Sequence, residues 1–94
     1  MAQRLETLAV GTPVYCGENR VGSIEGVYAE GASGVAEYLV VHWDSRNGTP
    51  VLVATKDVQS LEPRGVLLMG DEPGQYITAP RYEERLYPSL RRMH

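Results

Sequence analysis

The sequence predicts an all-β protein, a small antiparallel β-barrel of about six strands with a short C-terminal helix. Two strand-like segments, residues 20–28 and 37–43, lie one Gly-containing loop apart in a chain of 94 residues, which is one domain. Turn-forming clusters recur at short, regular intervals, the spacing of a barrel or sandwich. Composition then changes after Pro80, so the expected division is a β domain over 1–80 and a basic helical tail over 81–94.

A polar lead ends in Leu8-Ala9-Val10, and Gly11-Thr12-Pro13 breaks the chain before a short strand, Val14-Tyr15-Cys16. Gly17-Glu18-Asn19 supplies a tight turn, because Gly and Asn tolerate positive φ. The second strand runs from about Val21 to Ala29. Its alternation slips between Ile24 and Val27, and a β-bulge at Gly26 would bring both onto the core face. After the loop Glu30–Gly34, Leu39, Val41 and Trp43 share one face of the third strand, while Tyr38, Val40 and His42 share the other. Both faces are largely apolar, which predicts a central strand covered on both sides.

Asn47-Gly48 is the strongest hairpin signal in the chain. It leads into a fourth strand, Thr49–Ala54, with Pro50 confined to its start. Thr55–Val58 reads as one helical turn, Gly65–Met69 as a fifth strand, and Gln75–Thr78 as a short strand after the turn Asp71–Gly74. Pro80 suits the first turn of a helix, Glu83 and Glu84 lie early and Arg85 late, and Pro88 would end that helix near Leu86 or Tyr87.

Charge and cysteine usage narrow the functional classes. Net charge is −3, which argues against a general nucleic-acid binder. Residues 1–80 hold five basic and ten acidic groups, a balance of −5, whereas residues 81–94 hold four Arg and two Glu, a balance of +2. The single cysteine, Cys16, excludes an internal disulfide, and no apolar stretch opens the chain, so a reducing, cytoplasmic setting is expected. No run approaches the ~18 apolar residues of a membrane span.

Catalytic and metal chemistry find little foothold. Cys16 has no base announced beside it and reads as a small buried residue. His42 and Asp44 share a strand side but lack a third group, so His42 reads as a surface or interface residue. The chain has no His-x-His, no Cys pair and no Asp-rich loop; Asp71-Glu72 and Glu83-Glu84 read as solvated charges. Gly31 and Gly34 do not carry a strand into a helix, which removes the phosphate-cradle reading. The expectation is no catalytic residue, cofactor or metal.

The six tyrosines, with no Phe, are more informative, because Tyr suits half-buried and interface positions. Tyr38, Val40 and His42 on the second face of the third strand form one candidate contact surface. Arg81, Tyr82, Arg85, Leu86 and Tyr87 in the tail form another, with apolar anchors that favour folding onto an acidic barrel, its own or a neighbour's.

Gly11-Thr12-Pro13-Val14-Tyr15, then Val21-Gly22-Ser23-Ile24-Glu25-Gly26-Val27-Tyr28 and Glu37-Tyr38-Leu39-Val40-Val41 together resemble the PRC-barrel domain. Val51–Ala54 with Asp57-Val58, and Ile77-Thr78-Ala79-Pro80, extend the likeness over roughly residues 8–80. Ala54-Thr55 departs from it where a proline often ends the fourth strand. The resemblance implies binding and assembly roles and carries over no catalytic residue. The function expected is therefore a non-catalytic protein-interaction module that self-associates as a dimer through a sheet face. The alternative is an RNA- or ribosome-associated assembly factor.

Overall fold

The computed structural model describes residues 8–31, 35–70 and 80–93. Seven strands form one sheet: β1 (Pro13–Cys16), β2 (Asn19–Glu30), β3 (Ala36–Trp43), β4 (Thr49–Ala54), β5 (Val58–Glu62), β6 (Gly65–Leu68) and β7 (Leu90–Arg92). Neighbours run in the order β4-β3-β2-β1-β6-β5, with β7 pairing β2 off this path. All pairs are antiparallel except β1 with β6.

Local chemistry explains the joints. Gly17-Glu18 turns β1 into β2, with Gly17 at φ +58°. Between β3 and β4 a single 3-10 turn, Asp44–Arg46, leads into Asn47 and Gly48, both left-handed at φ 54° and 74°. This is the backbone that the Asn-Gly pair favours. Pro63-Arg64 turns β5 into β6. At Gly65, φ is +143° and an added Cβ would strike the carbonyl oxygen of Pro13, so only glycine lets β6 come in beside β1.

The register of β2 on β3 shifts between Ile24 and Gly26, which absorbs one extra residue. Ile24 opposes Val41 and Val27 opposes Leu39, and all four are buried in one core. The bulge therefore reconciles the broken alternation of β2 with a single inward face. That core gathers Val14, Ile24, Leu39, Trp43, Val51 and Leu68 with seven further buried residues.

Three expectations are corrected. Among the described residues the sheet does not close into a barrel. The outer edge of β4, which closure would have to use, is bonded to the tail: Leu52 N–H donates to Pro80 O and Tyr82 N–H to Pro50 O, each at 2.8 Å. Nor is the tail a helix. It holds one 3-10 turn, Glu84–Leu86, and the strand β7. Pro80 and Pro88 leave too few residues between them to nucleate a helix in isolation, and two sheet edges offer the same backbone groups ready partners. Third, the strand count missed β5 and β7, while the expected strand Gln75–Thr78 lies outside the described residues. The helical turn expected after β4 is present as a 3-10 turn, Thr55–Asp57. Among the described residues no helix is long and apolar enough to cross a membrane.

Candidate interaction face

Strands β2, β3 and β4 present a second face, opposite the core. Directly opposed residues in antiparallel strands project to the same side. The register Tyr28↔Tyr38, Gly26↔Val40↔Leu52 and His42↔Pro50 therefore defines this face. Val40 is only 2% exposed and Leu52 8%, yet neither belongs to the main core cluster.

The strap formed by residues 80–93 spans this side of the meander. It begins on the outer edge of β4, where Arg81 bridges Val51, and ends on β2, where Arg92 opposes Tyr28. Gly31 N–H donates to Ser89 O at 2.7 Å and Met93 N–H to Val27 O at 2.8 Å, which fixes the far end. Between these anchors three N–H groups are spent inside the strap: Leu86 on Glu83 O, Tyr87 on Glu84 O and Leu90 on Tyr87 O.

Three tyrosine rings join strap to sheet. The ring of Tyr82 lies 5.1 Å from that of Tyr28, tilted by 45°, and 5.9 Å from that of Tyr87, nearly parallel at 15°. Gly26 makes room for this packing. A Cβ there would meet the Tyr28 ring at 2.9 Å and the Arg92 guanidinium at 3.4 Å. Arg92 in turn donates to Glu25 O at 2.8 Å. Burial pushes the Tyr82 phenol up to about 12, helped by its hydrogen bond with Tyr28 and the nearby charge of Glu84, while the Arg92 guanidinium works in the opposite sense.

The expected contact residues fall into three groups. Arg81, Tyr82, Arg85, Leu86 and Tyr87 come together along the strap: Tyr82 and Tyr87 half-buried, Arg81 and Arg85 exposed, Leu86 58% exposed. Tyr38 is half-buried beside Tyr28. His42 is exposed at the far end, its imidazole lying against Gly48. Val40 is only 2% exposed, its side chain already covered within one subunit. Sequence reasoning missed Tyr28 and Arg92 as parts of this face. The signal was Gly26: once it is placed opposite Val40, Tyr28 falls on the same side.

The other polar cluster serves the fold. Arg64 Nε pairs with Glu62 at 2.9 Å, its terminal nitrogens reach Gly17 O at 2.8 Å and Glu18 at 3.9 Å, and the guanidinium stacks 4.5 Å above Tyr15. It clamps the β1–β2 turn to the β5–β6 turn beside an open cleft of about 410 Å³ lined by Leu8, Thr12, Pro13 and Leu61. Cys16 is fully buried. Among the described residues no three His, Cys, Asp or Glu side chains converge as a metal site would require.

The fold and this face define a small open-sheet β protein with an aromatic strap. Compared with family models, curated proteins and solved structures, the chain matches none.

Proposed function

We propose that this chain is a non-catalytic protein-interaction module whose docking surface is the outward side of the strap, acting in a reducing, cytoplasmic compartment. One observation carries the reading. The strap backbone is tied to both β4 and β2, and on that fixed backbone Leu86 stands 58% exposed beside Tyr87, with Arg81 and Arg85 in solvent. Tyr and Arg are the side chains enriched at protein contacts. A backbone held beforehand also loses little conformational entropy on docking. The resemblance of residues 8–80 to the PRC-barrel domain supports the same reading, because the roles it implies are binding and assembly. Self-association through the bare sheet face is not retained, since Val40 and Leu52 are covered.

A photo-crosslinking residue placed at Leu86, compared with one at exposed Gln59 on β5, tests this in the source cell. The expected result is a discrete protein adduct from position 86 and none from 59. No adduct from 86, or an adduct removed by ribonuclease, overturns the reading; the latter establishes the RNA-associated alternative.

A further inference from the structure

We propose that the partner of the strap face is a second copy of this chain, docked about a two-fold axis through the strap. The inference rests on the reading that the strap is a contact surface, and it names what the surface contacts. The segment that carries Leu86 holds two cations, Arg81 and Arg85, and two anions, Glu83 and Glu84. They are barely used within the subunit. The one ion pair among them is Arg85–Glu83 at 3.5 Å, with the Arg85 side chain 81% and the Glu83 side chain 30% exposed. Arg81 and Glu84 are exposed and have no ion pair among the described residues.

Such a surface suits few partners. A phosphate chain or an anionic membrane attracted by the arginines would be repelled by Glu83 and Glu84, and one exposed leucine is too little to anchor a membrane contact. A two-fold contact has a different requirement: the patch must complement itself, so each sign has to be present on it. The strap meets that condition, with Leu86 and Tyr87 as its apolar centre.

Light scattering of the purified full chain over a range of micromolar concentrations reads the assembly directly. The expected mass is twice 10.4 kDa, falling towards one copy at low concentration and high salt. Leu86→Asp weakens the dimer at least roughly tenfold, as substitution of a central anchor does. Its exposed position leaves the circular dichroism spectrum unchanged. Charge supplies a second, sharper arm. The double variants R81E/R85E and E83R/E84R make positions 81, 83, 84 and 85 all acidic and all basic, respectively. Each should be monomeric alone, and the two should associate when mixed. A monomeric wild type overturns the proposal, as does a dimer that Leu86→Asp leaves intact, or charge variants that stay apart on mixing. A monomer that still gives the in-cell adduct from position 86 overturns the two-fold contact alone and leaves the interaction module standing.

Discussion

The hydroxyl-bearing rings of Tyr28 and Tyr82 meet at 5.1 Å across a 45° tilt, and this contact joins the second strand to a segment more than fifty positions later in the chain. It is also where the strap leaves β4 and turns across the sheet. Truncation to Tyr82→Ala removes two ring contacts. It should cost about 2 kcal/mol in urea-induced unfolding, less than a fully buried aromatic because the ring is half-buried. Tyr82→Phe keeps the rings and loses the hydroxyl bond, so about 1 kcal/mol is expected.

Alkaline pH should loosen the same joint. The phenol of Tyr82 is held up to about 12 in the folded chain, against 10 when free, so folding favours its neutral form. A folded-state pKa raised above the unfolded one gives stability that is complete below pH 10 and is lost as pH rises through 12. Ultraviolet difference titration should show a tyrosine ionising near pH 12, and melting temperature should fall across that window. In Tyr82→Phe the fall should be smaller.

Val40→Asp acts on the subunit itself. A carboxylate at a position 2% exposed has no partner there, and the expected cost is about 3 kcal/mol or more. The variant should unfold in circular dichroism instead of giving a folded monomer, in contrast with Leu86→Asp.

Two glycines separate close approach from backbone conformation. A Cβ on Gly22 would strike the carbonyl oxygen of His42 across the β2–β3 ladder, so Gly22→Ala should cost more than ~2 kcal/mol. Gly31 has φ +58° with open space around it, and Gly31→Ala should cost only about 1 kcal/mol, the left-handed penalty of an L-residue. Chemical denaturation of the two variants checks the order.

Most of the sheet was legible in the sequence because its signals are local. Asn47-Gly48 and Gly17-Glu18 mark turns by their own φ preferences, and the slip between Ile24 and Val27 marks the bulge. Strand β5 escaped notice because Val58–Glu62 has mixed polarity and half-buried positions, without clean alternation. The tail was misread for a related reason. Pro80, Glu83 and Arg85 have the chemistry of a helix start, and only the free edges of β4 and β2, invisible to local reading, turn them into a strap. The contact face was half legible: its strap residues were recognised by type, while the burial of Val40 depended on where the tail went.

The parallel pairing of β6 on β1 carries a kinetic consequence. The meander β2–β3–β4 can assemble from hairpins between near neighbours, but Val14 meeting Val66, and Tyr28 meeting Arg92, require distant parts of the chain to find one another. Long closures of this kind slow folding without weakening the product. The three-stranded meander should therefore gain amide protection early in pulse-labelled hydrogen exchange. β1, β6 and the strap should follow in a later, slower phase.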